Sequence, residues 1–167
     1  MVRIFKGKVL AFSKMKRIML NTNVYCRPFD DLNDPIIKKE SKFAEKILEF
    51  AENKKVEVIT SDILYAELEL ISDQRKKDII FNEIESISQE KIKISEEIHN
   101  LAFEIKDFVG DYSDSLHIAF AAASNCECII TCDRHLIKIK GKIESFLISK
   151  GLKLVILSPG EFIKSFD

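Results

Sequence analysis

The stretch Ile18-Met19-Leu20-Asn21-Thr22-Asn23 gives the first indication of the fold. Three apolar residues are followed at once by polar ones, which is typical of the end of a short buried strand. Val56–Ile59, Cys128–Thr131 and Leu154–Leu157 are further short apolar runs, and Lys91–Ile94 alternates as a half-exposed edge strand does. The sequence therefore predicts five strands.

Segments with helical signals separate these strands. Apolar residues recur at helical spacing after Pro35, which suits the first turn of a helix, and Gly110 is suited to ending one. We expect helices after Pro35, from Asp62, over Gln74–Ser88, between Ser95 and Gly110, over Ser113–Ser124 and after Pro159-Gly160. Strands separated by helices predict one α/β domain, whose mainly parallel five-stranded sheet carries helices on both faces.

Composition agrees with one globular domain. The chain has 167 residues, of which 46% are hydrophobic and 32% charged. Its net charge of −1 argues against nucleic-acid binding by bulk electrostatics, although local basic patches remain compatible with it. No apolar run approaches the roughly 20 residues that cross a bilayer, so we predict no contact with membranes.

The first residues differ from the rest in charge. Residues 1–15 contain several lysines and an arginine but no acid, and we predict a basic N-terminal extension there, followed by the α/β domain over 16–167. The apolar run Val9–Phe12 is shorter than the core of a signal peptide, and Met15 is an alternative start. We therefore predict a cytoplasmic protein.

The cysteines fit that compartment as free thiols. Cys126, Cys128 and Cys132 lie close together in the sequence and invite a zinc hypothesis. A structural zinc site usually has two separated ligand pairs, however, and residues along a strand alternate between its faces. Buried thiols are the favoured interpretation.

Two polar residues follow predicted strands directly. Asn21 comes after the first strand and Asp133 after the fourth, and open parallel sheets bind ligands at this carboxyl edge. Each also has a structural interpretation. Asn21 would suit a turn, and Asp133 would suit the N-cap of a helix over His135–Lys140.

Glu67 lies inside an apolar helical stripe. On a helix that begins at Asp62, it falls between Ile63 and Ile71, on the side that carries Leu64 and Leu68. A buried carboxylate needs a partner because leaving it unpaired costs several kcal/mol. A metal ion or its water would serve, and so would a buried Lys or Arg.

Asp114 opens the most apolar predicted helix. An acid in the first turn of a helix also interacts favourably with the helix dipole, so its position alone does not require a ligand. His117 lies one turn further along and could orient Asp114 or its water, although a structural histidine is the favoured interpretation.

Four segments together resemble motifs of the PIN-domain nucleases, particularly the toxins of prokaryotic toxin–antitoxin pairs and their archaeal relatives. These segments are Ile18–Val24, Thr60–Leu68, Asp114–Ala119 and Ile130–Asp133. The resemblance implies Mg²⁺ or Mn²⁺ held by Asp114, Glu67 and Asp133, and supporting hydrogen bonds from Thr131 and Asn23. It also implies an RNA substrate, an antitoxin protein as partner and a homodimer.

Asn21 departs from the family pattern, which has an aspartate there. The amide oxygen of asparagine can coordinate a hard cation but carries no charge, so we expect weaker metal binding and slower hydrolysis.

The main hypothesis is a metal-dependent endoribonuclease in which Asn21, Glu67, Asp114 and Asp133 form the catalytic site. The alternative is a degenerate PIN-like module that binds RNA or protein. Asp30, Asp31 and Asp111 could supply the missing charge, although solvated loop acids are the favoured interpretation.

Overall fold

The computed structural model describes residues 15–166 in full and, for 2–5 and 8–11, the backbone alone. In these residues the strands are β1 (Val2–Phe5), β2 (Lys8–Ala11), β3 (Lys16–Leu20), β4 (Val56–Ser61), β5 (Ser88–Ile92), β6 (Cys128–Ile130) and β7 (Val155–Leu157). The helices are α1 (Thr22–Cys26), α2 (Pro35–Glu52), α3 (Asp62–Glu69), α4 (Gln74–Ile87), α5 (Glu96–Val109), α6 (Tyr112–Ala123), α7 (Arg134–Ser149) and α8 (Pro159–Ser165), with a 3-10 turn at Arg27–Phe29.

The central sheet has the order β5-β4-β3-β6-β7, and every neighbouring pair is parallel. Strand β3 lies in the middle, where Ile18 is opposite Val58 of β4 and Cys128 of β6. The predicted fold, an α/β domain with a five-stranded parallel sheet between helices, is confirmed.

Side chains of each strand alternate between two hydrophobic cores. Ile18 and Leu20 of β3 enter the core formed with α1, α2, α4 and α8, whereas Met19 enters the core formed with α5, α6 and α7. Helix α3 contacts both cores, because Leu64 and Leu68 pack in the first and Ile63 against the second. This position places α3 at the edge of the sheet rather than over one face.

Side-chain caps begin seven of the helices. A carboxylate or hydroxyl oxygen accepts a backbone N–H in the first turn of each, which fixes where the helix starts after its loop. The capping residues are Asp34, Ser61, Asp73, Ser95, Asp111, Asp133 and Ser158. Gly110 ends α5 with a φ of 83°, a left-handed conformation that glycine adopts without strain.

The structure departs from the predicted elements in several places. Helix α7 runs over Arg134–Ser149 and is longer than the predicted stretch His135–Lys140. The polar residues after β3 start a helix, α1, where a turn was expected. Strand β5 begins at Ser88 rather than at Lys91, and α8 includes Pro159 and Gly160 instead of following them. Five residues are too few to show helical periodicity in a sequence, which explains why α1 was missed.

The segment before residue 15 contains an antiparallel hairpin of β1 and β2. Its basic side chains lie outside the described residues, and the division of the chain at residue 15 stays a prediction. Across the part of the chain that is described, no helix combines the length and apolarity needed to cross a membrane.

Arg17 joins three elements at the amino end of the sheet. Its Nε donates to the carbonyl of Ser124 at 2.8 Å, and its two other nitrogens contact the carboxylates of Glu57 at 3.1 Å and Glu90 at 2.7 Å. The Arg17 side chain is only 16% exposed, so water screens these bonds less than those of a surface pair.

We expect Arg17→Ala to lower the free energy of unfolding by about 2–3 kcal/mol, because two carboxylates and one carbonyl lose their partner. Lys46→Ala is the control. It removes an exposed pair with Glu49 and should cost less than about 1 kcal/mol. Urea unfolding of both variants measures the difference, and equal losses would show that the Arg17 bonds add nothing to stability.

Candidate metal centre

Polar residues from four parts of the chain meet at the carboxyl edge of the sheet. Asn21 follows β3, Thr131 and Asp133 follow β6, Glu67 is on α3 after β4, and Asp114 is in the first turn of α6. The neighbours β4, β3 and β6 are parallel, so their carboxyl ends lie side by side. Residues that are far apart in sequence are thereby brought to one edge.

The hydroxyl of Thr131 is the centre of the hydrogen bonds at this edge. It accepts from Nδ2 of Asn21 at 3.2 Å, from Nδ2 of Asn23 at 3.3 Å and from the backbone N–H of Asp133 at 3.1 Å. The side chain of Asn23 also accepts from the backbone N–H of Cys132 at 2.9 Å. Thr131 and Asn21 are buried. The end of β3 is thus fixed to the loop after β6.

Asn21 is the N-cap of α1, but its side chain makes no capping bond. Instead, its backbone N–H donates to the carbonyl of Ile130 at 2.9 Å, and its amide contacts Thr131. A hydroxyl can donate as well as accept. If residue 21 were an aspartate, the hydroxyl of Thr131 could donate a hydrogen bond to the carboxylate. Thr131 is therefore a suitable partner for either side chain.

Glu67 is held by two donors on one oxygen. Nε2 of His117 and the hydroxyl of Thr22, the latter at 3.1 Å, both contact Oε1, so Oε2 takes no hydrogen bond from the described residues. Burial opposes ionisation of this carboxyl, but the bonds from His117 and Thr22 outweigh it and lower its pKa. The sequence predicted a partner for Glu67, either a metal ion, its water, or a buried Lys or Arg. In the structure the partner is His117.

His117 is a buried structural residue, as favoured from the sequence, but it contacts Glu67 rather than Asp114. Its side chain is 1% exposed, and its Nδ1 has no hydrogen-bond partner among the described residues. The His117 ring therefore fixes the orientation of a half-buried carboxylate.

Among the acids at this edge, Asp114 has a raised pKa. Burial raises the pKa of its carboxyl to about 6, and the charges of Asp111, Asp133 and Glu67 act in the same direction. His117 opposes them. The carboxylate of Asp114 accepts no hydrogen bond from the described residues, while its backbone N–H donates to Oδ1 of Asp111 at 2.9 Å. Its two oxygens are thus available to a cation.

Asp133 has the capping role that its sequence position suggested, and it also belongs to this edge. Oδ1 accepts from the backbone N–H groups of His135 at 2.8 Å and Leu136 at 3.3 Å. Within the described residues Oδ2 accepts nothing. One oxygen of Asp133 therefore starts α7, and the other is available to a ligand.

Of the loop acids considered as substitutes for the missing charge, Asp111 belongs to the site. It caps α6, and its negative charge opposes ionisation of both Asp114 and Glu67, although the pKa of Glu67 is lowered by its other partners. Its position three residues before Asp114 was the available sequence signal. Asp30 instead pairs with Arg27 at 3.0 Å, and Asp31 accepts from the backbone N–H of Asn33.

The cysteines form no zinc site. Cys128 and Cys132 lie in the core on one side of the sheet, and Cys126 lies in the core on the other side. Burial raises the pKa of all three thiols. They are buried free thiols, as the sequence favoured.

A model of the PIN domain family matches residues 32–142, which is more than half of the chain. The chain belongs to the PIN domain family. This PIN domain also resembles a solved structure, "Crystal structure of VapBC2 from Rickettsia felis bound to a DNA fragment from their promoter". The TM-score is 0.53 with 16% identity over 85% of this chain and 98% of the other, so the similarity concerns the fold alone. The comparison with curated proteins found no match.

In this PIN domain we expect Asp114→Asn to raise stability above pH 7 in the absence of metal. The pKa of Asp114 is higher in the fold than in the unfolded chain, so its contribution to stability falls as pH rises through the acid range to about 6. Removing the charge should gain roughly 1 kcal/mol at pH 7.5, a figure reduced for solvent screening of a half-buried group, and much less at pH 4.

Thermal unfolding with a chelator at both pH values measures this effect. Asp107→Asn, an exposed acid on α5, is the matched control and should change the melting temperature little. A similar loss of stability at both pH values in Asp114→Asn would contradict the electrostatic account and indicate a purely structural role.

Proposed function

We propose that this PIN domain is a metal-dependent endoribonuclease that hydrolyses RNA phosphodiesters and is slowed by Asn21. The observation that carries the proposal is that Glu67, Asp114 and Asp133 meet at one edge of the sheet, each with an oxygen that accepts no hydrogen bond from the described residues. Their negative charges repel one another, and a bound cation would relieve that repulsion.

The donor set fits Mg²⁺ or Mn²⁺, which prefer oxygen ligands. Within the described residues, no three His, Cys, Asp or Glu side chains are close enough to form a preformed metal cluster. Mg²⁺ does not require one, since it usually keeps several waters and uses one or two carboxylates. Asp114 and Asp133 would hold the ion, with Glu67 as a further ligand directly or through water. When bound, such an ion lowers the pKa of the attacking water and stabilises charge on the phosphodiester.

The protein's own residues would orient these groups. His117 and Thr22 restrain Glu67 through Oε1, and Oε2 accepts no hydrogen bond from the described residues. Thr131, with Asn23, fixes the residue at position 21. Asn21 offers an amide oxygen but no charge, so the ion is held by one negative charge fewer than the family pattern supplies. We infer that the cost is mainly in metal affinity.

The alternative function is a PIN-like module that binds RNA or protein without cleavage. The uncharged Asn21 favours it, as does the absence of a preformed three-ligand cluster in the described residues. An antitoxin partner and a homodimer belong to the proposal because the family resemblance implies them, and a cytoplasmic location because the sequence showed no signal-peptide core. The solved structure of similar fold is described as a VapBC2 complex, which supports an antitoxin partner by analogy.

Metal binding can be tested without a substrate. We expect Mn²⁺ to raise the melting temperature of the wild-type chain at millimolar concentration, since a ligand of the native state stabilises it by mass action. Asn21→Asp should respond at roughly ten- to a hundredfold lower concentration, and Asp114→Asn should respond least. An equal shift in all three proteins would place the bound metal elsewhere.

Cleavage of a mixed single-stranded RNA pool with Mn²⁺ tests the activity. Asn21→Asp should cut roughly ten- to a hundredfold faster than the wild type, and Asp114→Asn should not cut. Asn100→Asp makes the same chemical change at an exposed position of α5 and should leave the rate unchanged. If Asn21→Asp binds Mn²⁺ but cuts no RNA, the binding-module function replaces the nuclease.

A further inference from the structure

Helix α7 carries a row of cations that starts beside the candidate metal centre. Arg134, Lys138 and Lys142 are exposed and recur every fourth residue, directly after Asp133. On an α-helix this spacing keeps them within a sector of about 80°, each roughly 6 Å further along the axis. We call these three residues the cationic ridge.

The ridge contains no acid that would neutralise it. None of its three cations forms an ion pair within the described part of the chain. Two other exposed residues near this sector are small, namely Gly141, which precedes Lys142, and Ser145, which lies one turn after it. A large ligand could therefore approach the helix closely along this line.

Gly141 is the second observation that points to a ligand. Glycine inside a helix costs roughly 0.5–1 kcal/mol relative to alanine. Among the described residues nothing requires it here, because its φ is ordinary and a Cβ at this position would have none of their heavy atoms within 4 Å. A glycine that neither backbone nor packing demands leaves the surface of α7 clear beside Lys142, the last cation of the ridge.

The same spacing on α2 shows what an ordinary solvated helix face looks like. Lys38, Lys42 and Lys46 are also exposed and four residues apart. There the positions that match Gly141 and Ser145 are Glu45 and Glu49, and Lys46 pairs with Glu49 at 3.4 Å. The α2 row therefore carries acids of its own helix and one ion pair, whereas the ridge on α7 has neither within the described residues.

We propose that the cationic ridge binds the phosphate backbone of a single-stranded RNA, and that it leads the strand to the candidate metal centre at Asp133. The proposal rests on the proposed function for the position of the cleaved bond. A polyanion matches a row of unpaired cations, and regularly spaced cations can follow a backbone without reading its sequence. Cations beside the carboxylates would also offset the repulsion between an acidic site and the phosphates of its substrate.

The experiment measures binding without cleavage. Fluorescence anisotropy with a labelled single-stranded RNA pool, in a chelator and over a series of salt concentrations, compares the wild type with two triple variants. The first is Arg134→Gln, Lys138→Gln and Lys142→Gln. The second, with the same change in net charge and the same spacing, is Lys38→Gln, Lys42→Gln and Lys46→Gln. Far-ultraviolet circular dichroism and melting temperature confirm that each variant is folded.

We expect the ridge variant to raise the Kd for RNA roughly tenfold and to reduce the slope of log K against log salt by about 2, since each phosphate contact on a single strand contributes about 0.7. The α2 variant should change the Kd less than about twofold. Equal effects in the two variants, or no RNA binding by the wild type, would overturn the proposal and leave the ridge to an acidic protein partner.

Gly141→Ala provides an independent test. It should raise the melting temperature, because the helix gains propensity without a clash, and it should weaken RNA binding several-fold. Unchanged binding would show that the strand does not approach α7 at this point. Because none of these measurements requires catalysis, a chain that binds RNA through the ridge but cuts nothing contradicts only the proposed activity.

Discussion

The parallel pairing of β3 with both of its neighbours is the constraint on which the rest of the structure depends. Parallel strands that are in register finish at the same edge, so the residues after β3 and β6 come into contact although Asn21 and Thr131 are 110 positions apart. The helices that follow these strands start from the same edge. The sheet thus decides which side chains meet, and the loops need only be short.

Bringing several carboxylates to one edge of the sheet is unfavourable, because their negative charges repel one another. The edge gathers Glu67, Asp111, Asp114 and Asp133, and the hydrogen bonds within the fold satisfy only part of their oxygens. The two residues that relieve the conflict are His117 and Thr22, and both act on Glu67. At Asp114, burial and the charges of Asp111, Asp133 and Glu67 outweigh the opposing effect of His117, so the pKa of its carboxyl is raised.

Much of this arrangement could be predicted from the sequence, for identifiable reasons. The apolar runs at β3, β4 and β6 and the caps at Ser61 and Ser95 are local signals, and the fold class follows from their order. The stripe around Glu67 correctly indicated that this carboxylate needs a partner. The identity of that partner could not be predicted, because His117 lies 50 residues away and meets Glu67 only when α3 packs beside α6.

The capping geometry at Asp133 has a consequence for how this family can change over evolutionary time. Starting α7 requires an acceptor oxygen, which asparagine also has, whereas holding a cation benefits from the charge. At position 21 the structural role is likewise independent of the charge, because the uncharged amide of Asn21 is bound by Thr131 at the edge of the sheet. A lineage can therefore lose its acids one by one through changes of a single side-chain group while the scaffold persists. The reverse change, from the amide to the carboxylate, is compatible with the same scaffold.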